Sequence, residues 1–195
     1  KRTRSGLGIS SVTMETLVYA ALDTPDIETV RTLTSTLANQ PRVGLKLGLE
    51  AFTALGPPAV RDITNAGAAV FLDLKFHDIP NTVAAAVRAA AKLNVDVLNV
   101  HAAGGPDMMR AAAAAATEGA QAAGVRRPAV IAVTILTSMD DDDLTAVGYK
   151  PPASDNVVRL ATLARECGLD GVVCSAHEIG RVRAACGPDF LLIVP

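Results

Sequence analysis

Short apolar runs alternate along this chain with longer, Ala-rich stretches that have helical spacing. The apolar runs predict strands over residues 17–22, 43–48, 69–75, 95–101, 129–135, 171–174 and 190–194. The stretches between them predict helices over residues 26–39, 49–55, 58–66, 81–93, 107–123, 154–167 and 176–185. Alternation at this pitch indicates βαβ units and a parallel sheet, and continuous apolar strands are typical of a sheet covered on both faces.

Two parallel architectures fit this alternation. A doubly wound sheet normally has a Gly-rich phosphate turn after its first strand, but here that strand ends in Leu22-Asp23-Thr24-Pro25. A (β/α) barrel instead carries polar residues at the carboxyl ends of many strands. Five predicted strands end in this way, with Asp23, Lys46, Asp73 and Lys75, His101, and Thr137-Ser138. The sequence therefore predicts an α/β fold, a TIM-type (β/α)8 barrel with about seven βα units.

Composition excludes several classes of protein. Half of the 195 residues are hydrophobic and the net charge is −2, so neither a disordered tail nor a nucleic-acid-binding surface is expected. No apolar stretch reaches the roughly 20 residues of a membrane span. The three cysteines form no CxxC pair, which predicts buried free thiols and a cytoplasmic location. Residues 1–13 are polar and predict a loose leader before a single barrel domain, residues 14–195.

The segment Phe71-Leu72-Asp73-Leu74-Lys75-Phe76-His77-Asp78-Ile79-Pro80-Asn81-Thr82 carries the densest chemistry. Side chains alternate along a strand, so Asp73 and Lys75 share a face, and Asp78 follows in the loop. Lys46, on the neighbouring strand, is expected to reach the same place. Two carboxylates favour the ammonium form of Lys75, which suits a proton donor better than a Schiff-base nucleophile. The plain alternative is a structural salt bridge at a strand end.

These residues match a known family. Ala21-Leu22-Asp23, Lys46-Leu47-Gly48, the segment above, Asn99-Val100-His101-Ala102, Leu136-Thr137-Ser138-Met139 and Gly171-Val172-Val173-Cys174-Ser175-Ala176 resemble the bacterial type of the orotidine 5′-monophosphate decarboxylase family. The resemblance runs from about Val18 to Pro195. It implies that orotidine 5′-phosphate loses its carboxylate to give UMP and CO2, with no metal or organic cofactor.

The resemblance also implies residue roles. Lys75 would protonate C6 of the pyrimidine, and Asp73 would lie beside the substrate carboxylate and hold Lys75. Lys46 would tie Asp73 to the ribose hydroxyls, which Asp23 would also bind. Thr137 and Ser138 would recognise the pyrimidine. Asp78, Ile79 and Thr82 would act across a homodimer interface, in the active site of the partner subunit.

Two alternatives remain open at this point. Sugar-phosphate decarboxylases and hexulose-phosphate synthases of the same superfamily share the D-x-K-x-x-D strand but use Mg²⁺. Their metal is held partly by an acid at the strand-two position, where this chain has the cation Lys46. The other alternative is an inactive, truncated chain, since family members continue past Pro195 with a phosphate loop, an eighth strand and a final helix.

Some polar groups are expected to be structural. The acidic run at 140–143 predicts the start of a short helix rather than a metal site, because acids complement the helix dipole. His101 is expected to support the site through hydrogen bonds rather than to catalyse. His77 and His177 are expected to be exposed or at an interface.

Overall fold

The computed structural model describes residues 17–195, so the predicted leader at 1–13 lies outside the described residues. The chain divides into two compact units, one ending at Leu72 and the other beginning at Asp73. The third strand crosses from one unit into the other. Each unit is described by itself.

The secondary structure follows the predicted alternation. The strands are β1 Val18–Ala21, β2 Val43–Leu47, β3 Ala69–Phe76, β4 Val97–His101, β5 Ala129–Val133, β6 Gly171–Val173 and β7 Leu191–Ile193. The α-helices are α1 Ile27–Leu37, α2 Leu49–Asn65, α3 Pro80–Ala91, α4 Pro106–Ala123, α5 Asp141–Ala146, α6 Ala153–Glu166 and α7 Ile179–Cys186. Single 3₁₀ turns span Ala102–Gly104 and Ala176–Glu178. The predicted α/β class is confirmed.

In the first unit, β1, β2 and β3 pair in parallel and in chain order. The register places Ala21 opposite Lys46, so the carboxyl ends of β1 and β2 lie side by side. Helix α2 is interrupted at Gly56, where φ is 65° and ψ is −164°. A positive φ is readily adopted only by glycine. The interruption explains why the sequence predicts two helical pieces here.

In the second unit, β4 to β7 also pair in parallel and in chain order. Helices α3 and α4 pack closely because Gly119 has no side chain: a Cβ there would lie 2.5 Å from the carbonyl oxygen of Arg88. The Arg88 guanidinium donates twice to the Glu118 carboxylate, at 2.6 and 2.9 Å. This contact fixes the helix pair that follows the third and fourth strands.

The acidic run at 140–143 begins α5. The Asp140 carboxylate accepts the backbone N–H groups of Asp142 and Asp143, and the Asp143 side chain accepts the N–H of Asp140 in return. This is a capping box, which satisfies N–H groups that have no partner inside the helix. The prediction of a helix start is confirmed.

The three cysteines are buried and unpaired, as the sequence predicts. Burial raises the pKa of the Cys167 and Cys186 thiols, and raises that of Cys174 to about 11. Within residues 17–195, no helix has the length and apolar character needed to cross a membrane.

Candidate active site

The end of β3 brings Asp73 and Lys75 into direct contact. The Lys75 ammonium Nζ donates to Asp73 Oδ1 at 2.6 Å. Asp73 is 8% exposed, and about a third of the Lys75 side chain faces solvent. Charge-assisted hydrogen bonds of this length are among the strongest that side chains form. The structure therefore holds the Lys75 amine at a defined point beside a buried carboxylate.

The main chain at Lys75 has a left-handed conformation, with φ of 50°. A non-glycine residue in this region costs about 1–3 kcal/mol and persists only where its surroundings hold it. Strand alternation predicts that Asp73 and Lys75 share a face, but it gives no sign of this backbone turn. The turn ends β3 one residue later, at Phe76.

Asn99, on β4, contacts both residues of this ion pair. Its side-chain Nδ2 donates to Asp73 Oδ1 at 2.6 Å, and its Oδ1 accepts the Lys75 backbone N–H at 2.7 Å. Asn99 is 1% exposed. Asn99 lies in one of the motifs quoted above, but the sequence predicts no role for it. The available signal was one amide within the apolar run Val97-Leu98-Asn99-Val100.

Two histidines stack beside this cluster. The rings of His77 and His101 have centroids 5.3 Å apart and planes inclined by 30°. The pKa of His101 is lowered, first by burial and then by the charges of His77 and Lys75, while Asp73 opposes the shift. His77 is exposed, as the sequence predicts, and so is His177.

The loop after β3 presents the residues predicted to act across an interface. Asp78, Ile79 and Thr82 are all exposed, Ile79 by 67%. Asp78 Oδ1 accepts the backbone N–H of Ile79 at 2.6 Å. A surface cavity of about 480 Å³ opens here, lined by His77, Asp78, Ile79, Pro80, Ala103 and Gly104. In the part of the second unit that the structure describes, no ion pair joins Asp78 to Lys75.

Asp23 and Lys46 form an ion pair in the first unit. Lys46 Nζ lies 3.8 Å from Asp23 Oδ1, and 61% of the Asp23 side chain is exposed. Gly48 borders the pair: a Cβ at this position would lie 3.4 Å from the Asp23 carboxylate and 3.6 Å from the Lys46 amine. The parallel register of β1 and β2 creates this juxtaposition.

Thr137 and Ser138 occupy a turn after β5, closed by a hydrogen bond from the Met139 N–H to the Leu136 carbonyl at 3.0 Å. Both residues are exposed. Their assignment to pyrimidine recognition stays a prediction. Across the described residues 17–195, no three His, Cys, Asp or Glu side chains are grouped as a metal site would require.

The chain is similar in sequence to a known protein family. The profile described as "Orotidine 5′-phosphate decarboxylase / HUMPS family" matches residues 16–195. The orotidine 5′-phosphate decarboxylase of Moorella thermoacetica is 52% identical over 91% of this chain and 71% of its own length. That of Paramagnetospirillum magneticum is 47% identical over 91% of this chain and 75% of its own length.

Solved structures agree with the sequence comparison. The orotidine 5′-phosphate decarboxylase of Lactobacillus acidophilus superposes with a TM-score of 0.84 at 37% identity, covering 93% of this chain and 81% of that one. An uncharacterized conserved protein of Geobacillus kaustophilus gives a TM-score of 0.81 at 43% identity, covering 89% and 80%. These matches confirm the predicted fold class. With the family profile and relatives about 50% identical over most of their length, they show that the chain belongs to the orotidine 5′-phosphate decarboxylase / HUMPS family.

Proposed function

We propose that this protein decarboxylates orotidine 5′-phosphate to UMP, the last step of de novo pyrimidine synthesis. The observation that carries the proposal is the 2.6 Å ion pair between Lys75 Nζ and Asp73 Oδ1. The relatives described above support the same reaction, because both are orotidine 5′-phosphate decarboxylases and share about half of their aligned residues with this chain. The magnesium-dependent sugar-phosphate alternative has no such support.

The chemistry follows from the charges. The bond between C6 of the pyrimidine and the carboxylate carbon breaks, CO2 leaves, and the electron pair stays on C6. The Lys75 ammonium gives a proton to C6, and the neutral amine then regains a proton from water. Asp73 keeps the ammonium in place and, beside the substrate carboxylate, provides a negative charge whose repulsion ends when CO2 departs. The Lys75 ammonium, held where negative charge develops on C6, is a preorganised group that stabilises the transition state.

Other residues bind substrate in this proposal. Asp23 and Lys46 contact the ribose hydroxyls, and their own ion pair supports the assignment because both groups are accessible at adjoining strand ends. Thr137 and Ser138 contact the pyrimidine, supported by their exposure in a turn after β5. Neither a metal ion nor an organic cofactor takes part, since the Lys75 ammonium supplies the proton.

We further propose a homodimer in which Asp78, Ile79 and Thr82 complete the partner's site. Ile79 is 67% exposed and lies next to the exposed Asp78 carboxylate, at the edge of a surface cavity. A second copy of the chain would cover this apolar side chain. The protein is assigned to the cytoplasm, where unpaired cysteines such as these are usual.

The central test is the conversion of orotidine 5′-phosphate to UMP by the purified protein and by Lys75→Ala. We expect turnover to fall by about 10³-fold or more, because general acid catalysis alone contributes 10²–10⁴-fold. UMP binding, followed by calorimetry, should stay detectable. The matched control is Lys92→Ala, an exposed lysine at the end of α3, which should keep normal turnover. Near-normal turnover by Lys75→Ala would refute the assigned role.

A further inference from the structure

Asn99 uses both ends of its side-chain amide on the candidate catalytic pair. The NH2 group donates to Asp73, and the carbonyl oxygen accepts from the main chain of Lys75. Rotating the amide by half a turn would place NH2 against an N–H donor and oxygen against a carboxylate. Only one orientation therefore satisfies both contacts. Because Asn99 is 1% exposed, water is a poor substitute for either contact.

The two contacts constrain the lysine in two ways. Asp73 Oδ1 accepts hydrogen bonds from Asn99 Nδ2 and from Lys75 Nζ, both at 2.6 Å. Asn99 therefore fixes the position of the carboxylate oxygen that binds the ammonium group. The main chain of Lys75 is left-handed, and its N–H donates to the Asn99 side-chain carbonyl at 2.7 Å. The side chain and the main chain of Lys75 are thus positioned by one residue of the next strand.

We propose that Asn99 is a positioning residue for proton delivery, which sets where the Lys75 ammonium stands without itself contacting the substrate. The inference rests on the proposed decarboxylation for its kinetic readout only. Asparagine is suited to this place because it offers a donor and an acceptor without charge. Aspartate keeps the acceptor but adds a carboxylate against Asp73, and leucine keeps the approximate volume but removes both contacts.

The first test compares Asn99→Leu with the wild type in steady-state kinetics. We expect kcat to fall by about 10²-fold while KM changes by less than about threefold, since misplacement of a reacting group by 1 Å can cost 10²-fold. The control is Asn156→Leu, which removes a buried asparagine whose amide donates to the Lys150 and Pro152 carbonyls. This control should lose comparable thermal stability but keep kcat. An unchanged kcat in folded Asn99→Leu, or an equal fall in both variants, would overturn the proposal.

The second test uses Asn99→Asp, whose pH profile separates positioning from simple structural loss. Two adjacent carboxylates tend to share one proton, and the shared-proton form has the same charge as Asp73 beside asparagine. It also restores a donor towards Asp73. The kcat of Asn99→Asp relative to wild type should therefore rise as pH falls, while that of Asn99→Leu stays low throughout. Every other titratable group, Lys75, His77 and His101 among them, is common to all three proteins, so a ratio that does not depend on pH contradicts the proposal.

A third measurement does not require activity. The side-chain carbon next to the Lys75 amine, labelled for NMR, should change its chemical shift in Asn99→Leu and keep the wild-type shift in Asn156→Leu. If the wild type does not convert orotidine 5′-phosphate, the proposed function fails, and this measurement still decides the role of Asn99. An unchanged Lys75 signal in Asn99→Leu would overturn the positioning role whatever the reaction.

Discussion

His101 stacks on His77 with their ring centroids 5.3 Å apart, within the electrostatic reach of Lys75 and Asp73. His77 comes from the loop after β3 and His101 from the end of β4, so the contact ties two strand ends together. A partly buried ring next to another titratable ring is a poor place for a positive charge. The native protein therefore favours neutral His101.

We predict that this preference makes stability depend on pH. The pKa of His101 in the folded protein lies below its ordinary value of 6.5, so the unfolded chain takes up the proton first as pH falls. The free energy of unfolding should be unaffected by His101 well above pH 6.5 and should decrease as pH falls below it, until the folded-state pKa is passed. Urea unfolding at a series of pH values measures this dependence.

His101→Gln should remove that part of the pH dependence, because glutamine does not titrate. The control is His177→Gln, which replaces an exposed histidine of a 3₁₀ turn and should keep the wild-type slope. The test compares the slope of the unfolding free energy against pH between about pH 5.5 and 7.5, on either side of the ordinary histidine pKa of about 6.5. Identical slopes for His101→Gln and wild type would contradict the prediction.

A second prediction concerns the packing of α3 on α4. Gly119→Ala should lower the free energy of unfolding by about 1–3 kcal/mol, because the new methyl group would meet the Arg88 carbonyl oxygen at 2.5 Å and overpacking costs this much. Gly180→Ala in α7 is the matched control, with no neighbour within 4 Å of the new methyl group. There, replacing glycine in a helix should be neutral or stabilising by up to about 1 kcal/mol. Equal unfolding free energies for the two variants would contradict the prediction, because α3 and α4 would then move apart to accept the methyl group without cost.

Mixed dimers test the proposed sharing of sites. Asp78→Asn and Lys75→Ala chains should each be nearly inactive alone, because each lacks one side of every site. When the two chains are mixed, each heterodimer should contain one site with both residues intact, so activity towards orotidine 5′-phosphate should recover in proportion to the heterodimer formed. Differently tagged chains allow heterodimers to be purified and assayed. Purified heterodimers without activity would argue against a shared site.

The proposed proton donor also predicts indifference to chelators. Lys46, a cation, stands where the magnesium-dependent enzymes of the superfamily are expected to place an acid, and it pairs with Asp23 at 3.8 Å. Dialysis against EDTA should therefore leave turnover of orotidine 5′-phosphate unchanged. Loss of turnover on chelation, with recovery on adding Mg²⁺, would favour the sugar-phosphate chemistry instead.

Much of the fold was predictable because apolar runs and Ala-rich stretches differ in period. The start of α5 was predictable for a local reason, since Asp140 caps N–H groups two and three residues ahead. The ends of the strands are harder to predict from the sequence. The apolar run predicts that β5 reaches residue 135, but the strand ends at Val133. The next residues, Thr134, Ile135 and Leu136, are again β-branched or apolar, so the hydropathy pattern does not mark the end of the strand.

The candidate site divides in the same way. The pairing of Asp73 with Lys75 follows from strand alternation over two residues. The contacts of Asn99 join positions 24 and 26 residues apart, and depend on which strands adjoin and on their register. The left-handed turn at Lys75 has no sequence signal either, because lysine does not favour it. Long-range contacts and local strain therefore had to come from the structure.

The three buried cysteines can report how often different parts of this protein open locally. Cys167 follows α6, Cys174 follows β6 and Cys186 ends α7, and each thiol is buried and less acidic than usual. An alkylating reagent attacks only a thiolate that it can reach, so each cysteine is modified only when its own surroundings open. Mass spectrometry of the three labelled peptides would then time the opening of α6, β6 and α7 separately, with no engineered probe.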